Sequence, residues 1–383
     1  MSIEEKTLLE LLKQSQFVSS GTINYDDVDI DVLYDEASIQ TVLGLIATEI
    51  PPEFINEKWH QAQFRQKANY IRYCNAEDEL VHVLDKEHIP FVILKGNAAA
   101  VSYNDPTCRS MGDIDFIVPK ELFEKTRKIL LENGYLLEKE AEYYTRHISF
   151  SKNGYCFELH RCFSHEDINI EEFISNGIKN RLTIEVFDHI FPILPKIPNG
   201  LVLLDHMRNH LKNALGLRQV VDWMMYVYRN LDDDFWNNEF GPIVIDLGMD
   251  TLAKTATRMC QIYLGLPDTI TWCKDADENT CQQLMNCILV SGNFGRKNGQ
   301  GKAVESVSLN VRKKGFFRFL QTVGERNWLL YQKHHWLKPF CWCYQLIRYT
   351  KKGFKSGRTK TQLKEDPERS NERYELLKKL GIE

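Results

Sequence analysis

Asp113 and Asp115 stand two residues apart in Asp113-Ile114-Asp115-Phe116-Ile117-Val118, an apolar run ended by Pro119. Side chains alternate along a strand, so a strand here turns both carboxylates to one face. Two adjacent carboxylates repel and are costly to bury. A divalent cation removes that cost. Mg²⁺ (or Mn²⁺) takes oxygen ligands and binds through a few carboxylates plus substrate phosphates. Two such ions, about 3.5–4 Å apart, can activate an attacking hydroxyl and stabilise a leaving pyrophosphate. Alone, this spacing is more often a solvated edge or the lead-in to a turn, so the flanking residues decide.

Those flanks favour phosphate. Lys95-Gly96-Asn97 follows the apolar run Phe91–Leu94, where a strand gives way to a helix start. Backbone N–H groups at such a start suit phosphate oxygens, and Lys95 adds a point charge. Arg109 supplies a planar fork for phosphate, and Gly112 lets the backbone approach a ligand closely. A third carboxylate is expected on a neighbouring strand. In Cys156-Phe157-Glu158-Leu159-His160, Phe157 and Leu159 alternate toward the core and leave Glu158 and His160 on the other face. Glu158 is placed to complete the metal site or to take a proton from an acceptor hydroxyl.

With Leu94-Lys95-Gly96, Tyr103, Pro106, Arg109, Met111-Gly112-Asp113-Ile114-Asp115 and Glu158-Leu159-His160, the chain resembles the bacterial uncharacterised nucleotidyltransferase family of the polymerase-β-like superfamily. The resemblance runs from about Lys67 to Asp222, and more weakly to about Arg348. It implies a nucleotidyltransferase fold with flanking helices, Mg²⁺ dependence and a nucleoside triphosphate donor. It names no acceptor, which could be a small molecule, a carbohydrate or a protein. Where the wider superfamily places Gly-Ser after the first strand, this chain has Lys95-Gly96-Asn97 and no serine.

Further groups cluster downstream. Asp205, His206 and His210 fall on one helical stretch, with the histidines four residues apart on one face. Arg218 and Asp222 are likewise four apart on the next. A helical domain beside the sheet could set His206 or His210 over the nucleotide. The alternative is an interhelical polar network in which Asp222 orients Arg218 or a histidine. His147 is a possible flank of the pocket. His160, Cys162 and His165 lack a fourth ligand and zinc spacing, so zinc is not expected there.

The elements that must position these groups make an α+β chain. Residues 1–88 read as an N-terminal helical segment, broken at Pro51-Pro52. Residues 89–195 read as the catalytic domain, a mixed sheet with flanking helices. Its strands are expected at Phe91–Leu94, Asp113–Val118, Thr145–Phe150 and Tyr155–His160, the last two joined at Asn153-Gly154. Glu121–Asn133 is an amphipathic helix closed by Gly134. Residues 196–310 form a helical domain. Residues 311–383 form a basic, aromatic helical tail, in which thirteen Lys and Arg up to Lys360 oppose only Glu325. The tail could dock on anionic lipid, nucleic acid or an acidic partner. The plainer expectation is an internal cover whose Lys and Arg stems shield apolar surface.

Composition sets the outer bounds. A charged fraction of 26% and a net charge of -5 give no global pull toward nucleic acid, which is not an expected partner. No run reaches the eighteen or so apolar residues of a membrane span, although peripheral contact through the tail remains open. Scattered cysteines without a CxxC pair, and an acidic amphipathic N-terminus, point to a reduced cytoplasmic protein.

Overall fold

Helix α1 (Ile3–Gln16) starts in a reciprocal capping box between Ser2 and Glu5, and buries Leu8, Leu9, Leu11 and Leu12. Asp29 caps α2 (Ile30–Ile39), and the short α3 (Leu43–Ile46) precedes the Pro51-Pro52 break. Asn56 caps α4 (Glu57–Lys86), which at 30 residues is about 45 Å long. That length lets it serve two cores. In this computed structural model Trp59 packs with the helical body, whereas Tyr70, Cys74, Leu80 and Leu84 pack under the sheet. The residues described are 1–17, 23–138, 147–164, 168–212, 214–293, 297, 315–328, 330–331, 334–355 and 371–382.

The sheet has seven strands in the order β3-β4-β5-β2-β1-β7-β6. They are β1 (Val92–Leu94), β2 (Ile114–Ile117), β3 (Leu136–Leu137), β4 (His147–Lys152), β5 (Tyr155–His160), β6 (Leu182–Val186) and β7 (His189–Ile193). Between β1 and β2 lies the one-turn helix α5 (Gly96–Ala100). Helix α6 (Phe123–Glu132) follows β2, and α7 (Ile168–Lys179) follows β5. The central strand β2 runs antiparallel to β1 and parallel to β5, so the sheet is mixed. The β4–β5 turn uses Asn153 and Gly154, both at positive φ (52° and 85°), as a tight hairpin requires.

The hairpin β6–β7 has no counterpart in the sequence reading. Pro192 lies within β7, opposite Thr183, and the hairpin turn uses Phe187 at positive φ rather than glycine. Both features hide a strand pair from pattern reading.

Alternation divides the sheet faces between two cores. Ile93, Ile114, Phe116, Phe157 and Leu159 pack on α4 and α6. Val92, Leu94, Ile117 and Phe163 face the helical body, where they join α8 (Lys196–Leu211) and α9 (Leu217–Asn230). Helices Asp250–Leu264 and Glu278–Ser291 belong to that body, as do Leu376, Leu377, Leu380 and Ile382 near the C-terminus. Among the described residues, no helix is long and apolar enough to cross a membrane.

In the tail, helices Phe316–Asn327 and Cys341–Lys355 form a hairpin. Gly324 lies against the Cys341 carbonyl, with no room for a side chain. The hairpin buries Phe319, Leu320 and Cys341 but leaves other apolar residues outside. Phe317 and Trp336 are 65% and 72% exposed, and Phe340 and Ile347 also face solvent.

Candidate active site

The register of three strands builds the site. Asp115 pairs laterally with Leu94 of β1 and with Glu158 of β5, and His160 pairs with His147 of β4. Asp115 and Glu158 thus emerge side by side on the face toward α8 and α9. Asp113 stands just before β2, one alternation away. Asp113, Asp115 and Glu158 each offer a carboxylate oxygen, all within 4.8 Å of one another.

Lys95 reaches the same point from β1. It occupies an uncommon backbone conformation for a non-glycine residue, φ 53° and ψ -126°, at the entry to α5. From there its Nζ lies 2.7 Å from Asp115 Oδ2, and His160 Nε2 lies 2.8 Å from Asp115 Oδ1. Burial opposes the Asp115 charge, but Lys95 and His160 outweigh burial and hold its carboxyl well below the usual range. The other two carboxylates move the opposite way. Asp113 is pushed up by the Asp115 charge and then by burial. Glu158 is pushed up to about 8, by burial first and by Asp115 second. Three carboxylates gathered this closely repel one another, a cost that a bound cation would remove.

The carboxylates open into a cleft of about 410 Å³ between the sheet and helices α8 and α9. Lys95, Gly96, Gly112, His147 and His160 border it on the sheet side. His206, His210 and Arg218 border it on the helical side, with Asn209 between the histidines. The rings of His206 and His210 meet edge to face at 4.4 Å. Burial, and next the Lys95 charge, hold His206 neutral by lowering its pKa well below the ordinary value.

Two expected phosphate contacts are placed differently. Arg109 borders the cleft, but its Nε and Nη2 donate to Asp222 Oδ1 and Oδ2 at 2.7 and 2.8 Å. Tyr103 also donates to Asp222, at 2.6 Å. Arg109 is 5% exposed, so its fork is committed to a carboxylate inside the protein. Asn97 is fully buried on the α4 side, where its Nδ2 donates to Glu77 Oε2 at 2.7 Å and its Oδ1 accepts from Tyr70. It supports the loop from below and does not border the cleft.

Arg218 is the group that sequence reasoning left outside the site. Its i,i+4 spacing from Asp222 suggested an internal ion pair, but Asp222 is taken by Arg109. Arg218 instead donates from Nη1 to the Ser110 carbonyl at 3.0 Å. Its Nε meets no hydrogen-bond partner among the described residues. Burial, and then the Arg109 charge, press against its own charge. A buried cation with donor capacity to spare, facing Asp113 across Gly112, suits an anionic ligand. The sequence signals were two arginines for one aspartate and an Arg218–Asp222 spacing that resembles the family's.

The family model for uncharacterised nucleotidyltransferases matches residues 27–265. The chain belongs to that family. A search of curated proteins returned no match. Nucleotidyltransferases generally use divalent metals, and the donor set fits one: three carboxylates gathered together, Asp113 driven toward protonation first by Asp115 and Glu158 first by burial. All-oxygen donors suit Mg²⁺ or Mn²⁺. Of the His160, Cys162 and His165 grouping, His165 lies outside the described residues.

Proposed function

We propose that the protein transfers a nucleoside monophosphate from a nucleoside triphosphate to a hydroxyl group of its acceptor. The convergence of Asp113, Asp115 and Glu158 with Lys95 and Arg218 at one cleft, in a nucleotidyltransferase-family chain, carries this reading. In the transfer, the acceptor oxygen forms a bond to the α-phosphorus, the bond to pyrophosphate breaks, and the hydroxyl proton leaves to a base. Asp113, Asp115 and Glu158 would hold the divalent cation, which when bound neutralises phosphate charge and acidifies the hydroxyl.

The chain's own residues supply positioning. Lys95 and Arg218 approach from opposite walls and would clamp the phosphates, with Gly96 and Gly112 keeping the backbone open to them. Glu158 would either complete the metal site or take the proton of the acceptor hydroxyl. His206, kept neutral, and His210 offer ring surfaces for the base or sugar. Buried thiols such as Cys74 and Cys260 suit a reducing, cytoplasmic setting.

The test is direct. The protein with Mg²⁺ and each labelled nucleoside triphosphate should bind nucleotide, and Asp113→Ala/Asp115→Ala should not. Absence of binding at millimolar nucleotide, or binding unchanged in the variant, rejects the proposal. Nucleotide bound without product over long incubation with candidate acceptors would favour a silent nucleotide-binding module.

The exposed Phe316, Phe317, Trp336 and Phe340, set among basic residues, favour a second role for the tail as a peripheral contact to anionic lipid. Co-sedimentation with anionic but not zwitterionic vesicles would support it. Equal sedimentation with both, or none with either, would reject it.

A further inference from the structure

His147 and His160 bring nitrogen donors to a site whose expected metal chemistry needs only oxygen. The β4–β5 ladder sets them directly opposite each other, and Glu158 lies two residues before His160 on the same face. His147 Nε2 is 3.5 Å from Glu158 Oε1, and His160 Nε2 is 3.7 Å from Glu158 Oε2. The imidazole centroids are 5.2 Å apart. One donor atom from each of the three residues lies within 4.8 Å of the others.

These separations are too long for good hydrogen bonds. They come close to the edges of a coordination polyhedron. With metal–ligand bonds of about 2.1 Å, neighbouring donors stand about 3.0 Å apart in an octahedron and about 3.4 Å apart in a tetrahedron. The two His–Glu separations need to shorten by only a few tenths of an ångström for an ion to be shared, with His160 Nε2 giving up its 2.8 Å contact with Asp115 Oδ1 to the ion. Each histidine presents Nε2 to a different oxygen of the same carboxylate, and Glu158 belongs both to this triangle and to the Asp113–Asp115 group.

We propose that His147, Glu158 and His160 form a nitrogen-bearing cation site beside the all-oxygen carboxylates, selective for a borderline divalent ion of the Zn²⁺ or Co²⁺ class over Mg²⁺. Imidazole donors favour such ions, whereas Mg²⁺ prefers oxygen and retains its water. The site shares Glu158 with the function proposed above and rests on that reading only for its role in catalysis, not for its existence.

Co²⁺ alone is the probe. The full-length protein is titrated by visible absorption, and the Co²⁺-loaded form is examined by proton NMR for hyperfine-shifted, exchangeable imidazole N–H signals. Mg²⁺-dependent nucleotide binding is measured on the same samples. The wild type should show two shifted imidazole signals. His147→Ala should show one and bind Co²⁺ at least about tenfold more weakly. His147→Gln should match it, which separates loss of the ligand from loss of packing. Asp113→Asn should lose nucleotide binding yet keep both signals. No shifted imidazole signals in the wild type, or Co²⁺ affinity unchanged in both His147 variants, overturns the site. If both signals are present but the wild type binds no nucleotide, the site stands and the nucleotidyltransferase reading falls. Nucleotide binding without the signals gives the reverse.

Discussion

Glu77 offers a quantitative check on the packing beneath the Lys95-Gly96-Asn97 loop. Its side chain is fully buried under Gly96, with Oε2 accepting from Asn97 and Oε1 lacking a partner among the described residues. Burial raises its pKa from 4.5 to about 7, against the lowering effect of Asn97 and Arg109. The folded state thus binds the proton more tightly than the unfolded chain. Its stabilising effect is complete below about pH 4.5 and is lost as pH rises through about 7. The whole shift corresponds to about 3 kcal/mol, of which about 2 kcal/mol disappears between pH 5.5 and 8. Gln has nearly the same shape and carries no titratable proton. Urea unfolding of wild type and Glu77→Gln at pH 5.5 and 8 isolates this contribution, because the other titrating groups are common to both. The wild type should lose about 2 kcal/mol more than the variant over that interval. Equal pH dependence in the two proteins would refute the claim that Glu77 is buried and neutral under the loop.

Other outcomes follow from the same geometry. Arg109→Ala leaves Asp222 as an uncompensated buried charge and should destabilise the fold by about 3–5 kcal/mol in chemical denaturation. Arg218→Ala, which strands no carboxylate, should cost far less stability but should weaken triphosphate binding measured by calorimetry. Gly112→Ala places a methyl group in ordinary contact with Arg218 Nη1, 3.8 Å away. It should leave the melting temperature nearly unchanged while lowering nucleotide affinity. Asp113→Asn removes a carboxylate that Asp115 repels. It should raise the melting temperature of the metal-free protein while abolishing Mg²⁺-dependent binding, the trade expected of a strained site.

Much of the site could be read from residue order because it rests on strand periodicity. The spacing of Asp113 and Asp115, the alternation around Glu158 and the Asn153-Gly154 turn are local signals, and β2, β4 and β5 realise them in register. What order could not supply was the choice between equivalent partners. Asp222 could have paired with Arg218 four residues away on its own helix, yet it pairs with Arg109 more than a hundred residues earlier. That choice decides which arginine is left for the cleft. Asn97 likewise follows Lys95-Gly96 in a loop that reads as phosphate-binding, but the backbone turns its amide toward Glu77. Hairpin β6–β7 carried Pro192 and no turn glycine, so its pairing depended on tertiary context. The tail's aromatic residues gave no sign of which side they would face.

The central claim is that Asp113, Asp115 and Glu158 gather a divalent cation and a nucleoside triphosphate in one cleft. Calorimetric titration of a non-hydrolysable nucleoside triphosphate into the protein, with Mg²⁺ and with chelator, tests it most directly. Binding that requires Mg²⁺ and vanishes in Asp113→Asn/Asp115→Asn is the predicted result. Binding that persists in chelator or in the variant, or no binding by any of the four nucleotides, would contradict it.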